Sequence, residues 1–318
     1  MQAEKTFLHS CFPIFNSSTL ARKFIYLINP ISGTSPKSKL SELIAEKTEE
    51  AGLPFEILHT RPNGNYSELK DKIQREGITD VIVCGGDGTI SAVVAELSGL
   101  DIRFGIVPSG SGNGLAFAAG IPAAPVKALE IIFNGKAGYA DGIELNGRFS
   151  CMLCGIGFDA QVAHDFAEAN TRGLHTYIKL SAINYLKAKP YPFIISYEQT
   201  TIHTEAFFLS IANGNQFGNH FTIAPMASLN DGLMDVVIVK KMNKLMLPFS
   251  LLNQVTGINP LQNPEEHFDR KNIIYFQTAE LKITNPSLAP LHIDGDPAAT
   301  SGEFLVKIKP QAFKLLQP

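Results

Sequence analysis

The first third of the chain alternates short apolar runs, rich in β-branched residues, with segments whose apolar residues recur every three or four positions. The runs predict buried strands at residues 23–28, 55–59, 81–84 and 103–108. The periodic segments predict helices at residues 38–51, 66–76, 91–98 and 115–119. Strands that alternate with helices predict an α/β domain built on a doubly wound parallel sheet.

The pattern changes near residue 140, where strand-like runs begin to follow one another. Strands are predicted at residues 139–145, 148–156, 193–197, 201–212, 232–239 and 273–283, and helices chiefly at 171–188 and 246–255. Consecutive strands after an α/β unit predict a second, mainly antiparallel domain. The predicted organisation is an N-terminal extension (1–20), an α/β domain (21–139) and a β-rich domain (140–308), with segment 309–318 a candidate to pack back on the first domain.

A glycine-rich segment, Gly85-Gly86-Asp87-Gly88-Thr89, directly follows the third predicted strand. Glycines let the backbone turn tightly and approach a ligand, and a helix start just beyond offers N–H groups to an anion. The carboxylate can hold a cation or a water. Residues 29–33, Thr60 and residues 110–113 follow the other strands, and topology brings all these loops to one sheet edge, where α/β proteins bind ligands. The segment therefore predicts a nucleotide site.

Composition narrows the function classes. With 318 residues, two domains that share a cleft are the default. The net charge is -3, and the basic residues are scattered, which argues against a nucleic-acid partner. No apolar run reaches the ~20 residues of a membrane-spanning helix. Cys151 and Cys154 have a CxxC spacing, but on a strand their thiols would point to opposite faces. We interpret the four cysteines as reduced and structural, which fits a cytoplasmic protein.

Several common catalytic motifs are missing from the sequence. It has no Walker P-loop, no HExxH segment and no G-x-S-x-G elbow. The alternating glycines of residues 110–114 lack the spacing of a dinucleotide fingerprint. These absences disfavour P-loop nucleotidases, zinc proteases and serine hydrolases.

Six segments, in order along the chain, carry a resemblance to one family. Gly85-Gly86-Asp87-Gly88-Thr89 is similar to the signature shared by diacylglycerol kinases, sphingosine kinases and NAD kinases. The other five segments are Asn29-Pro30-x-Ser32-Gly33, residues 108–116, residues 155–160, residues 223–225 with Asp231-Gly232-x-x-Asp235, and Asp294-Gly295-Asp296. The chain thus resembles the diacylglycerol kinase catalytic-domain family, in its bacterial lipid kinase form.

The resemblance implies a fold and an activity. The fold is an α/β nucleotide-binding domain followed by a β-sandwich-like domain, with the active site in the cleft between them. The activity is transfer of the γ-phosphoryl group of ATP to a lipid hydroxyl with the help of Mg²⁺. The implied protein is cytoplasmic and peripheral at the inner membrane surface, where it meets its lipid. A homodimer is an open alternative to a monomer.

The resemblance also implies roles for individual residues. Asp294 would accept the proton of the lipid hydroxyl, and Asp87 would act through a water or through Mg²⁺. Asp231, the Leu233 carbonyl and Asp235 would form a structural Mg²⁺ site, since hard cations prefer oxygen ligands. The expected ATP-binding residues are Asn29, Pro30, Ser32, Gly33, Thr60, Gly85, Gly86, Gly88, Thr89, Gly110, Ser111, Asn113 and Asp296.

Structural interpretations stand beside these roles. Asp87 is also a common residue type in glycine turns. Asp294-Gly295 and Asp231-Gly232 are both suited to hairpin turns. Asp159 is interpreted as a helix cap in preference to a substrate contact.

Three departures from the family pattern keep the function open. Asp296 stands where the family has Glu, Ala92 replaces a usual acid, and Gly114 replaces the aspartate of diacylglycerol kinases. A lipid kinase is the leading hypothesis. The alternatives are a kinase for a soluble substrate, related to NAD kinase, and a catalytically weak protein that binds a nucleotide or a lipid.

Overall fold

A computed structural model describes most of the chain. The described residues are 22–33, 37–61, 64–169, 174–216, 224–241, 267–269 and 272–318. The predicted N-terminal extension and the predicted helix at 246–255 lie outside these ranges.

The first unit is a parallel sheet with helices packed on it, as predicted. Its strands are β1 (Phe24–Ile28), β2 (Phe55–His59), β3 (Asp80–Gly85) and β4 (Arg103–Pro108). They pair in parallel in the order β2-β1-β3-β4. Its helices are α1 (Lys37–Glu50), α2 (Ser67–Glu76), α3 (Asp87–Leu97), α4 (Gly114–Ala118) and α5 (Pro125–Asn134).

Strands β1 and β3 are buried along their whole length, which explains why their sequences are apolar without alternation. Asp80, at the amino end of β3, is a charged residue in this apolar strand, and it is as buried as its neighbours. Arg22 and Arg103 pair with its two carboxylate oxygens at 2.7 and 2.6 Å. A buried charge needs such partners, and this cluster lies at the sheet edge opposite the glycine-rich loops.

The second unit is mainly antiparallel, again as predicted. Its strands are β5 (Lys136–Leu145), β6 (Arg148–Ser150), β7 (Leu153–Gly157), β8 (Tyr191–Tyr197), β9 (Thr200–Ala212), β10 (Met234–Lys240), β11 (His267–Asp269), β12 (Ile273–Thr278), β13 (Glu280–Thr284), β14 (Leu291–Ile293), β15 (Asp296–Ala298) and β16 (Glu303–Gln317). Its helices are α6 (Phe158–Glu168) and α7 (Leu174–Lys187).

The last strand, β16, connects the two units. It runs antiparallel to β5 with a register shift between Lys309 and Phe313. Beyond this irregularity, Lys314 and Leu315 pair in parallel with Arg103 and Phe104 of β4. The described strands thus form one continuous sheet that passes from the α/β unit into the β-rich unit.

Two predicted strands are each interrupted. The predicted strand 148–156 is β6 and β7, separated by Cys151 and Met152, and the predicted strand 273–283 is β12 and β13, separated by Ala279. Burial raises the pKa of the Cys151 and Cys154 thiols, which keeps them protonated and unreactive. Among the described residues, none of the helices combines the length and apolar character that a membrane crossing requires.

Candidate functional site

The loops that follow β1, β3 and β4 contact one another at the carboxyl edge of the parallel sheet, as topology predicts. Asn29 Nδ2 donates a hydrogen bond to Thr89 Oγ1 at 2.8 Å. The hydroxyl groups of Ser32 and Ser109 lie 3.1 Å apart. The backbone of Thr60, after β2, bonds to the carbonyl of Ile28 at the end of β1. The structure therefore brings the four predicted nucleotide loops together.

Helix α3 begins inside the glycine-rich segment, four residues earlier than the pattern predicted. Gly86 precedes the helix, and its carbonyl accepts the Ile90 N–H at 3.0 Å. Asp87, Gly88 and Thr89 thus form the first helical turn and not a separate loop. The first N–H groups of a helix lack intrahelical acceptors and favour an anion, so this segment presents its amides in the way a phosphate requires.

Glycine is required where the loops after β3 and β4 cross. A β carbon on Gly86 would lie 3.1 Å from the Gly110 Cα, and a β carbon on Gly110 would overlap the Gly86 Cα. Asn113, at φ 59°, closes the second loop. Its Oδ1 accepts the Gly110 N–H at 2.8 Å and its Nδ2 donates to the Gly110 carbonyl at 3.0 Å. The side chain of Asn113 therefore stabilises the loop by hydrogen bonds to the backbone of Gly110.

Asp87 ties the first turn of α3 to the start of α4. Its two carboxylate oxygens accept the Gly114 and Leu115 N–H groups, each at 2.9 Å. Burial raises the pKa of this carboxyl, while the backbone donors act to lower it. Asp87 therefore links the loop after β3 to the loop after β4 through these two hydrogen bonds. Its predicted role through a water or Mg²⁺ stays a prediction.

Asp294 comes from the second unit, in the tight turn between β14 and β15. Its Oδ1 accepts hydrogen bonds from the Ser150 hydroxyl and from the Met152 and Leu153 N–H groups at 2.8 to 3.0 Å. Its Oδ2 accepts the Cys151 N–H at a longer 3.2 Å. These bonds take up the N–H groups of Cys151 and Met152, which therefore do not continue the pairing of a strand. They explain the break in the predicted strand 148–156.

The electrostatics of Asp294 favour a proton acceptor that works near neutral pH. Burial raises the pKa of its carboxyl to about 6, a hydrogen bond from Ser91 opposes the rise, and the charge of Asp87 adds to it. The charge of Asp87, in the first unit, therefore acts on the carboxyl group of Asp294, in the second unit, because a nearby like charge disfavours ionisation.

Ser91 is a site residue that the sequence interpretation did not single out. It bonds to Asp294, and its Oγ accepts the Cys151 N–H at 3.0 Å. Ser91 follows Asp87 by four positions on α3, which places both side chains on one helix face. The spacing of four residues from Asp87 could have identified Ser91 from the sequence. The neighbouring Ala92, one of the departures from the family pattern, is exposed.

Asp296 faces the glycine-rich segment from the opposite side of the cleft. A β carbon on Gly88 would overlap the Asp296 carboxylate, so Gly88 makes room for it. Asp296 is exposed, whereas Asp294 is only 8% exposed. The Asp294-Gly295-Asp296 turn thus presents one buried and one exposed carboxylate to the nucleotide loops. Pro30, Gly33 and Ser111 are also exposed at this edge.

The predicted metal-binding segment has two carboxylates, Asp231 in the turn before β10 and Asp235 on β10 itself. Asp231 Oδ1 accepts the Leu233 N–H at 3.0 Å, and burial raises the pKa of Asp231, with a further contribution from Asp141. Burial also raises the pKa of Asp235 to about 6; Tyr275 and Gln277 hydrogen-bond to it. Within the described ranges, no three His, Cys, Asp or Glu side chains cluster closely enough to hold a metal ion. The metal assignment stays a prediction.

The crossing of the two loops leads to a testable prediction. We expect Gly110→Ala to separate the loops, because its β carbon must displace the Gly86 backbone. Overpacking of this kind costs ~1–3 kcal/mol of unfolding free energy, and calorimetric titration should show weaker ATP binding. Gly99→Ala is the control, since a β carbon there meets nothing within 4 Å. Equal ATP affinity in the two variants would contradict the assigned crossing.

Comparison with family models finds matches to both units. Residues 23–145 match the "Diacylglycerol kinase catalytic domain" model. Residues 153–317 match the "YegS C-terminal NAD kinase beta sandwich-like domain" model. Together these matches span nearly all of the described residues.

Curated proteins and solved structures agree with the family models. A "Diacylglycerol kinase" of Bacillus subtilis is 27% identical, with 88% of this chain and 91% of that protein covered. A Citrobacter koseri protein named "Probable lipid kinase YegS-like" is 30% identical, with 85% and 88% covered. A crystal structure of a diacylglycerol kinase from Bacillus anthracis has a TM-score of 0.69 at 17% identity and covers 94% of this chain and 97% of that one. At that identity, the structural match bears on the fold alone.

Proposed function

Because the chain belongs to the diacylglycerol kinase catalytic-domain family, a family of lipid kinases, we propose that it transfers the γ-phosphoryl group of ATP to a lipid hydroxyl. The observation that carries the proposal is the Asp294-Gly295-Asp296 turn of the second unit. It places a buried carboxylate with a pKa of about 6 and an exposed carboxylate opposite the first turn of α3. In this proposal, a phosphate donor held by the nucleotide loops and a hydroxyl acceptor meet beside this turn.

The nucleotide loops position the phosphates of ATP in this proposal. The first turn of α3 and the loop after β4 offer backbone N–H groups, and Thr89 is oriented by Asn29. Asp87 keeps the two loops in contact. Phosphoryl transfer depends chiefly on positioning and on neutralising charge, so a rigid set of donors is the contribution that the protein needs to make.

Asp294 acts as the proton acceptor for the lipid hydroxyl. Its Oδ1 accepts hydrogen bonds from Ser150, Met152 and Leu153, and its Oδ2 accepts the longer bond from Cys151. A base with a pKa near 6 is ionised at neutral pH yet still takes up a proton readily. Ser91 and Ser150 hold the carboxylate from the two units.

The residues around the phosphate site fit Mg²⁺. This ion is usually bound by one or two carboxylates together with substrate phosphates and waters. Asp296 provides an exposed carboxylate beside Gly88, where phosphate oxygens would lie. Bound there, the ion would neutralise charge on the transferred group.

We propose a second, structural Mg²⁺ site at the turn before β10. Asp235 is buried and Asp231 is exposed at the turn, and the charge of Asp231 adds to the raised pKa of Asp235. A cation between the two carboxylates would relieve this repulsion. The Leu233 carbonyl would supply a third oxygen. Tyr275 and Gln277 keep the Asp235 side chain in place.

The lipid acceptor places the reaction at a membrane surface, and diacylglycerol is the first substrate to test. Purified protein should be given γ-labelled ATP and Mg²⁺ with diacylglycerol, monoacylglycerol, phosphatidylglycerol and sphingosine in mixed micelles, and with NAD in solution. We expect label in one or more lipids and none in NAD. Label in NAD alone would favour the soluble-substrate alternative. ATP binding without transfer to any acceptor would favour the binding-protein alternative.

A further inference from the structure

A buried acid–histidine pair lies directly behind the catalytic turn. His292, on β14, is completely buried, and Asp159, on α6, is 7% exposed. The His292 Nε2 and the Asp159 Oδ2 are 3.4 Å apart. Asp159 is therefore not the helix cap that the sequence indicated, because α6 begins at Phe158 and Gly157 precedes it. The Asp159 Oδ1 accepts the N–H of its neighbour Ala160.

The hydrogen bond to the turn fixes the tautomer of His292. The Gly295 N–H donates to the His292 Nδ1 at 3.3 Å. An N–H can donate only to an unprotonated ring nitrogen, so the neutral ring carries its proton on Nε2. The Nε2 atom that carries this proton lies 3.4 Å from the Asp159 Oδ2, an electrostatic contact rather than an aligned hydrogen bond. Asp159 thus favours the tautomer in which His292 can accept from Gly295.

The turn that receives this support is a two-residue hairpin turn between the paired residues Ile293 and Asp296. Asp294 has φ 50° and Gly295 has φ 85°, the positive values that Asp-Gly favours in such turns. A second contact between helix α6 and β14 is made by His164, whose Nε2 lies 3.0 Å from the Leu291 carbonyl. Together with the contact between Asp159 and His292, it joins the helix at two points to the strand immediately before the turn.

Gly155, on β7, leaves the space that the pair occupies. A β carbon at this position would overlap both the Asp159 Oδ2 and the His292 Nε2. Gly155 pairs with His292 across the sheet. The pair therefore depends on a glycine in the middle of a buried strand, where glycine weakens the strand itself. A glycine inside a buried strand often marks a place where another group approaches the backbone closely. Here those groups are the side chains of Asp159 and His292.

We infer that Asp159 and His292 are positioning residues for the reaction proposed above: Asp159 orients the His292 ring, and His292 Nδ1 holds the Gly295 amide. The pair thereby sets the placement of the two carboxylates, Asp294 and Asp296, that flank Gly295. His292 is completely buried and Asp159 nearly so, and we therefore place neither residue in contact with the substrate. Misplacement of a reacting group by ~1 Å can cost ~10²-fold in rate.

Variants at His292 separate positioning from packing. Asparagine has an acceptor oxygen close to the position of Nδ1, whereas leucine fills the space without an acceptor. We expect His292→Leu to lower kcat ~10–100-fold with little change in the KM for ATP, and we expect His292→Asn to recover at least tenfold of that loss. The informative quantity is the ratio of the two kcat values. Both substitutions remove the imidazole, so the ratio reports only the presence of the acceptor oxygen. Equal kcat values in two folded variants would overturn the proposal.

Asp159→Asn tests the tautomer without requiring catalysis. In ¹⁵N spectra of histidine-labelled protein, we expect His292 to show an unprotonated Nδ1 and a protonated Nε2 in the natural sequence. In Asp159→Asn, the amide can donate to Nε2, and we expect the proton to move to Nδ1 and the Gly295 amide resonance to shift. A protonated Nδ1 in the natural sequence would refute the inference. If no lipid is phosphorylated, the proposed function fails while these spectra still decide the role of the pair.

Discussion

Asparagine in place of Asp294 is expected to lower kcat for lipid phosphorylation by at least ~10², because general base catalysis contributes ~10²–10⁴-fold. The volume is unchanged, and Oδ1 can keep its bonds from Ser150, Met152 and Leu153. The amide nitrogen at the position of Oδ2 would face the Cys151 N–H, so we expect the unfolding free energy to fall by ~1–3 kcal/mol. Steady-state kinetics and chemical denaturation of the same preparation measure both quantities.

The raised pKa of Asp294 gives the same prediction a pH dependence. The rate of the natural sequence should fall as the pH drops below about 6, since the protonated carboxyl cannot act as a base. Stability should change in the opposite sense. The folded state binds this proton more tightly than the unfolded state, so the contribution of Asp294 to stability is present below pH ~4 and is lost as the pH rises through about 6. Asp294→Asn should remove this component. A kcat within threefold of the natural value would exclude Asp294 as the base.

The second large effect is expected for Asp87→Asn. The partly buried carboxylate accepts the buried N–H groups of Gly114 and Leu115 at the start of α4. An amide nitrogen in place of one oxygen would bring two hydrogen-bond donors face to face. Leaving a buried donor unsatisfied costs ~1–3 kcal/mol. We expect the loop after β4 to move, the unfolding free energy to fall by this amount and the Kd for ATP to rise at least tenfold.

Asp71→Asn is the matched control, because Asp71 is exposed on α2 and exposed substitutions usually change stability by less than ~0.5 kcal/mol. Calorimetric titration with ATP compares the two variants directly. If Asp87→Asn bound ATP as well as Asp71→Asn did, the tie between the loops would not be needed for the nucleotide site. A role for Asp87 through Mg²⁺ alone would instead leave the unfolding free energy unchanged.

The α/β unit could be predicted well from the sequence because its signals are local. Buried parallel strands are apolar throughout, and Gly52 and Gly77 mark helix ends. The strands 55–59 and 103–108 have the predicted bounds. The convergence of the nucleotide loops followed from topology alone. Local pattern could not show that α3 begins at Asp87, because its first turn is stabilised by contacts with residues 110–115.

The second unit was harder to predict because long-range contacts decide its details. The break between β6 and β7 depends on Asp294, more than 140 residues away in the sequence. The short strands β14 and β15 have three residues each and carry no periodicity. The link between Asp159 and His292 crosses a similar distance. The resemblance to a family identified Asp294 and Asp159 as residues of interest, and the structure supplies their neighbours.

Transfer of label from γ-labelled ATP to a lipid hydroxyl tests the central claim most directly. The assay should compare the natural sequence, Asp294→Asn and Asp71→Asn, with diacylglycerol in mixed micelles and Mg²⁺ present. We predict labelled phospholipid for the natural sequence and for Asp71→Asn, and at least ~10²-fold less for Asp294→Asn. Equal transfer by all three proteins, or transfer to no lipid by a protein that binds ATP, would contradict the account.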